Sequence, residues 1–245
     1  LDLGNSGTGA RLLLGALAAQ PFRAVVTGDG SLRGRPMARV TEPLGLMGAH
    51  FEYLEEPGRL PLVVGPSPGL RGVDLDLPVA SAQVKSALLL AGLVAGVPVL
   101  LTEPGASRDH TERMFRGLGA SVLRHARGPG WRIELRDPPD RLPPLVLEVP
   151  GDPSSAAFPV LAALLGVGSG EVEVEGVGLN PTRTGFIDLF RRMGGEIEVA
   201  PEGEAGGEPV GTVAARTSEL TGIEVGHQEV VRAVDELPAI AEAAA

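Results

Sequence analysis

The chain has 245 residues, 43% of them hydrophobic and 21% charged, with a formal net charge of −10. That length can bury a sizeable core in one large domain or two smaller ones, and the acidic balance argues against nucleic acid or an anionic membrane as partner. Cysteine is absent, which excludes a disulfide scaffold, a thiolate zinc site and a cysteine nucleophile and fits a reducing cytoplasm; no apolar run reaches the roughly eighteen residues of a membrane span.

Taken in order, Leu1–Leu3 reads as a strand end feeding the turn Gly4-Asn5-Ser6-Gly7-Thr8-Gly9 and a helix over Ala10–Ala19. Arg23–Thr27 alternates as a strand, and Gly28-Asp29-Gly30 is a turn. Arg35-Pro36-Met37 opens a second helix, with proline in the first turn and Gly48 as the C-terminal cap. Strands follow at His50–Leu54, Leu62–Val64 and Val73–Leu77.

The same order recurs as a helix over Ser81–Gly96, a strand over Val97–Thr102 and a helix over Ser107–Leu118, then strands near Ser121–His125, Trp131–Leu135 and Leu145–Val149. It recurs again as helix Asp152–Leu165, strand Glu171–Glu175 and helix Thr182–Met193. Strands near Glu196–Val199, Gly211–Ala215 and Ile223–Val225 follow, and a further helix runs from Asp235 to Ala245. The opening LDLGNSGTG reads as the middle of a fold and the closing AIAEAAA stops inside a helix without a cap, so both ends are expected to be cut.

The second helices end at equivalent positions 49, 120 and 195, spacings of 71 and 75 residues, and the first helices open at Ser6, Ser81 and Ser154. Such a period is too long for a solenoid and suits a compact βαβαββ module. Three modules with helices inside and sheets outside define an α/β fold with internal pseudo-symmetry. The chain is expected to divide near Leu147–Val149, with two modules in residues 1–147 and about one and a half in 148–245.

The stretch Val79–Leu93 starts with Ser81 and Gln83 and continues as an unbroken apolar run over 87–91, the pattern of a helix buried nearly all round. Ser81 is a natural N-cap, and the N-terminal N–H groups of a buried helix attract anions. Each first helix starts with such a polar turn (GNSGTGAR, VASAQVKSA, GDPSSAA). If the repeat axis gathers them, the ligand is a multiply charged anion; the bland alternative is that these residues serve tight turns. Arg11, Arg35 and Arg108 stand at turns leading into helices, where a guanidinium can clamp carboxylate or phosphate. Asp109 can cap the helix after Arg108 or pair with Arg113. Asp235 is ordinarily read as a cap, its other reading being a general base. The four histidines, His50, His110, His125 and His227, have no metal-ligand spacing and read as structural.

Leu1–Arg11 (LDLGNSGTGAR), Gly34–Met37 (GRPM), Ala80–Leu90 (ASAQVKSALLL), Ser107–Met114 (SRDHTERM), Val149–Phe158 (VPGDPSSAAF), Asn180–Gly185 (NPTRTG) and Asp235–Ala245 together resemble the 5-enolpyruvylshikimate-3-phosphate synthase family, end to end. The ASAQ form resembles its class II branch. The resemblance implies an inside-out barrel of two half-domains and transfer of the enolpyruvyl group of phosphoenolpyruvate to the 5-hydroxyl of shikimate 3-phosphate, without cofactor or metal. It assigns Gly7, Arg35 and Gln83 to phosphoenolpyruvate, and Ser81, Ala82, Gln83 and Arg108 to shikimate 3-phosphate, Ala82 by backbone or contact only. Asp235 matches the catalytic aspartate beside the reacting hydroxyl. By the same resemblance this chain is a central portion, inactive alone because a lysine, a glutamate and further arginines lie outside it, and the full-length form is a cytoplasmic monomer. It also implies that glycine rather than alanine at position 7 admits the inhibitor glyphosate. UDP-N-acetylglucosamine enolpyruvyl transferase shares the repeat but normally has cysteine in the loop matched by Gly28–Arg35. RNA 3′-phosphate cyclase would want a catalytic histidine and a basic face, and a non-catalytic anion-binding fragment remains a third alternative. Gly7, Arg35, Ser81 and Gln83 are expected to line one concave surface.

Overall fold

The computed structural model describes residues 1–168 and 170–244, with the side chains of His227 and Gln228 left out. The reading of His227 as structural, and of Ala245 as the end of the last helix, therefore lies outside the described residues. The chain divides into two compact units, Leu1–Pro143 and Pro144–Ala245, each with its own core.

In the first unit, α1 (Gly7–Ala18) starts where Ser6 Oγ accepts from the Gly9 N–H at 3.1 Å, an N-cap. After β1 (Ala24–Val26) the expected plain turn is instead a one-turn helix, α2 (Gly30–Arg33), because Asp29 caps it by accepting from Leu32 N at 2.8 Å. The next helix, α3 (Ala38–Leu46), starts later than the sequence reading placed it. Pro36 disfavours helical geometry at Arg35, so that residue stays in the connection. Then come β2 (Phe51–Tyr53), β3 (Leu62–Val64) and β4 (Val73–Asp76). The second module continues with α4 (Ala82–Ala95), β5 (Val99–Glu103), α5 (His110–Gly117), β6 (Val122–Arg127) and β7 (Gly130–Leu135).

The four-stranded sheet has the order β4-β5-β7-β6, with β4 and β5 parallel and the other pairs antiparallel. The first sheet has the order β1-β3-β2, and a parallel bridge from Asp2 to Thr27 adds the remnant of the expected Leu1–Leu3 strand beside β1. Both modules thus have one topology. Helices α1 and α4 cross in the interior at Gly15, where a Cβ would stand 2.1 Å from the Ala87 carbonyl oxygen. Leu14, Leu44, Leu88 and Leu89 fill the core around that crossing.

The second unit repeats the plan once. Asp152 caps α6 (Pro153–Leu164) by accepting from Ser154 N and Ser155 N, both at 3.3 Å. There follow β8 (Glu171–Gly178), α7 (Gly185–Arg192), β9 (Glu196–Ala205) and β10 (Glu208–Arg216). The sheet order is β8-β10-β9, with Gly151 bridging parallel to Val177. On β8, glutamates 171, 173 and 175 face out while Val172 and Val174 pack on the core, the alternation of a half-buried strand. Short helices α8 (His227–Arg232) and α9 (Leu237–Ala243) flank a 3₁₀ turn over Val234–Glu236. Residues 145–149 and 223–225, expected as strands, form none. The repeat itself is plain: Gly48, Gly119 and Gly194, one after each second helix, adopt φ of 101°, 86° and 101°, which only glycine takes cheaply.

Candidate functional site

In the first unit the N-termini of α1 and α4 meet. Gln83, the second residue of α4, donates through Nε2 to the Thr8 hydroxyl, on the second residue of α1, at 2.8 Å. Its Oε1 accepts from Arg11 Nη1 at 2.8 Å, and Arg11 Nη2 donates to the Pro36 carbonyl at 3.0 Å. Arg11 thereby ties three segments together. It is 6% exposed, and its Nε has no hydrogen-bond partner among the described residues. Burial pulls its guanidinium below the usual arginine value, and the charges of Arg39 and Arg35 act in the same direction. Three cations held close enough to repel one another are relieved by an anion.

Arg35 leans over the start of α1. A Cβ added to Gly7 would lie 2.8 Å from Arg35 Nη1 and 3.3 Å from Arg11 Nη1. Arg35 donates to Asn5 Oδ1 and to Ser31 Oγ at 3.3 Å, and Asn5 in turn donates to Asp29 at 2.8 Å. The Leu32 N–H and the Asn5 amide both hold the Asp29 carboxyl below its usual value, so it is ionised and spent on capping α2.

Ser81 occupies the N-cap position of α4, yet its hydroxyl does not cap the helix. It accepts instead from Arg39 Nη2 at 3.1 Å. With a lone pair taken by Arg39, the Ser81 hydroxyl keeps its proton to donate. Ala82, at the first helical position, has no intrahelical acceptor for its N–H. Arg39 also lines a mostly apolar cleft of about 570 Å³ bounded by Leu46, Leu75 and Leu77.

Gly7, Arg35, Ser81, Ala82 and Gln83 therefore belong to one connected surface built on two helix starts. Arg108 is half-buried in the loop between β5 and α5. That loop passes the start of α4, a Cβ on Gly105 falling 3.9 Å from Ala80. Asp109 takes the N-cap position of α5 without capping it; its carboxylate pairs with Arg113 at 2.9 Å and Arg124 at 3.0 Å.

Asp235 lies in the second unit, on the 3₁₀ turn, with its side chain half exposed. Arg183 Nη2 approaches its Oδ2 at 3.8 Å, together with Asp152 at 3.1 Å and the buried Glu236 at 3.8 Å. Ser154, where the sequence pattern opens this first helix, lies in the first turn of α6 and donates to Glu236.

Sequence reasoning passed over Arg39, whose signal was its spacing of four from Arg35, and Thr8. It also passed over the ionic cluster beneath α4. Lys85, the only lysine, is fully buried just before the apolar run over 87–91, with Nζ 2.7 Å from Glu112 and 3.3 Å from Glu103. Among the described residues no three His, Asp or Glu side chains gather as a metal site, and no helix is long and apolar enough to cross a membrane.

The sequence profile of EPSP synthase (3-phosphoshikimate 1-carboxyvinyltransferase) matches residues 1–245. A 3-phosphoshikimate 1-carboxyvinyltransferase of Geobacter sulfurreducens is 49% identical over 249 aligned residues, covering all of this chain and 56% of the relative. One from Acidiphilium cryptum is 51% identical, covering all of this chain and 54% of the relative. Among solved structures, EPSP synthase from Acinetobacter baumannii superposes with a TM-score of 0.86 at 44% identity, over 99% of this chain and 54% of that one. The chain thus spans about half the length of the curated relatives it matches, and it belongs to the EPSP synthase (3-phosphoshikimate 1-carboxyvinyltransferase) family.

Proposed function

We propose that this chain forms part of an enzyme that transfers the enolpyruvyl group of phosphoenolpyruvate to the 5-hydroxyl of shikimate 3-phosphate and releases inorganic phosphate. The observation that carries the reading is the pair of helix N-termini, on α1 and α4, ringed by Arg11, Arg35 and Arg39. Both substrates are small multiply charged anions, and such a surface suits them. Gly7, Arg35 and Gln83 serve phosphoenolpyruvate, and Ser81, Ala82, Gln83 and Arg108 serve shikimate 3-phosphate.

In the chemistry, a proton delivered to the methylene carbon of phosphoenolpyruvate leaves an oxocarbenium-like centre. The 5-hydroxyl oxygen bonds to the neighbouring cationic carbon, the one that bears the phosphate oxygen, as Asp235 takes its proton. The bond from that carbon to the phosphate oxygen then breaks, the methyl group made in the first step loses a proton to restore the methylene, and phosphate departs. No metal or cofactor enters this scheme. The two substrates are its partners; a net charge of −10 disfavours nucleic acid, and a monomer in the cytoplasm is the setting we assign to the full-length enzyme.

Phosphate release by the full-length enzyme, supplied with both substrates, tests this. Ser81→Ala/Gln83→Ala is expected to raise KM for shikimate 3-phosphate by about 150-fold or more, since two hydrogen bonds to a charged ligand are removed. Release with UDP-N-acetylglucosamine in place of shikimate 3-phosphate would overturn the reading in favour of the sister transferase.

A further inference from the structure

We propose that Lys85, Glu103 and Glu112 form a buried ionic tripod that positions the first turn of α4 against the loop carrying Arg108, and so sets the geometry of the shikimate 3-phosphate site. The inference rests on the function proposed above, in which Ser81, Ala82, Gln83 and Arg108 hold that substrate.

The three residues come from three elements. Lys85 stands one turn into α4, and its backbone N–H donates to the Ser81 carbonyl at 3.0 Å. Glu103 ends β5, immediately before the loop, and Glu112 lies in the first turn of α5, immediately after it. All three side chains are fully buried, with Lys85 Nζ 2.7 Å from Glu112 Oε1 and 3.3 Å from Glu103 Oε1. The far oxygen of Glu103 reaches into the loop itself, accepting from Ser107 Oγ at 2.6 Å, next to Arg108. A second brace joins Ser86 Oγ to Thr111 Oγ1 at 2.6 Å.

Holding these elements together does not require charge, for apolar side chains of similar volume pack as firmly. Charge adds direction. An ammonium between two carboxylates is pulled along two lines at once, and a shift of either carboxylate is felt at the other. Among the described residues, neither oxygen of Glu112 has a hydrogen-bond partner of good geometry, so Lys85 supplies its compensation. The cluster meets the surface described above at the backbone, where the Lys85 N–H bonds to the Ser81 carbonyl. It acts on that surface through the helix turn and the loop, as a positioning device.

The test uses the full-length enzyme with Glu112→Gln and, because single removal of a buried charge can unfold a protein, the charge-free triple Lys85→Met/Glu103→Gln/Glu112→Gln. Both are expected to raise KM for shikimate 3-phosphate about tenfold while KM for phosphoenolpyruvate and kcat change less than about threefold, the signature of one misplaced substrate site. Crystal structures should show the separation of Ser81 from Arg108 altered by about 1 Å, a displacement large enough for that loss. A folded triple variant with both KM values and that separation unchanged overturns the tripod, whatever its melting temperature. Absence of turnover in the wild type would instead overturn the proposed function; the crystallographic separation then still decides the tripod.

Discussion

Ser81 and Gly7 carry the lesson at the scale of single residues. Both were singled out from the sequence, Ser81 as a helix cap, and the structure gives its hydroxyl to Arg39 rather than to its own helix. Gly7 is helical, so alanine there costs no backbone strain and favours the helix. The atom it would meet is the tip of Arg35, a flexible side chain that can yield. Gly7→Ala in the full-length enzyme is therefore expected to leave the melting temperature within a few degrees, yet raise KM for phosphoenolpyruvate about fivefold by displacing the guanidinium. Inhibition by glyphosate should weaken in parallel. A variant with unchanged KM and unchanged inhibition would remove Gly7 and Arg35 from the site.

Between elements, close approach and cross-strand charge matter more than propensity. The α1–α4 crossing exists because position 15 has no Cβ; one placed there would overlap the Ala87 carbonyl, which is backbone and cannot move alone. Gly15→Ala is expected to cost about 3 kcal/mol in chemical denaturation of the chain, at the upper end for overpacking. A cost near zero would mean that the two helices can slide apart freely. On the outer face of the four-stranded sheet, Arg132 on β7 reaches across β5 to grip both oxygens of Asp74 on β4 at 2.7 Å each. Those bonds hold the Asp74 carboxyl below its usual value. A carboxyl lowered by folding stabilises the protein above its unfolded value of about 3.9 and ceases to do so as pH falls through the folded value. Asp74→Asn should thus melt a few degrees lower than wild type near neutrality, and the gap should narrow as pH falls below that unfolded value. A gap independent of pH would show that the pair acts through shape alone.

For the molecule as a whole, the sign of the charge is opposite to that of the site. The chain carries −10 overall, while Arg11, Arg35 and Arg39 converge at two helix starts. Net charge repels an anionic substrate over long distances, and the local cluster attracts it at short range. Salt separates the two, because the screening length falls from about 14 Å at 0.05 M to about 4 Å at 0.5 M. Shikimate 3-phosphate affinity, read by calorimetry, should fall several-fold over that range if the cluster dominates. Tighter binding with added salt would mean that the acidic exterior governs association instead.

The sequence by itself determined the module. Hydrophobic period, glycines at 48, 119 and 194, and polar turns before apolar helices are local signals, and each depends only on neighbours along the chain. The α/β class, the repeat and, to within three residues, the start of each first helix were legible for that reason. The strands expected at 145–149 and 223–225 failed because a strand needs a partner that the local pattern cannot supply. Tertiary structure alone decided which arginines share one surface, that Gln83 answers Thr8 across 75 residues, and that the single lysine lies between two glutamates. These contacts join residues far apart in sequence. Their energies depend on desolvation and on ångström-scale distances between elements, quantities that exist only once the helices have packed.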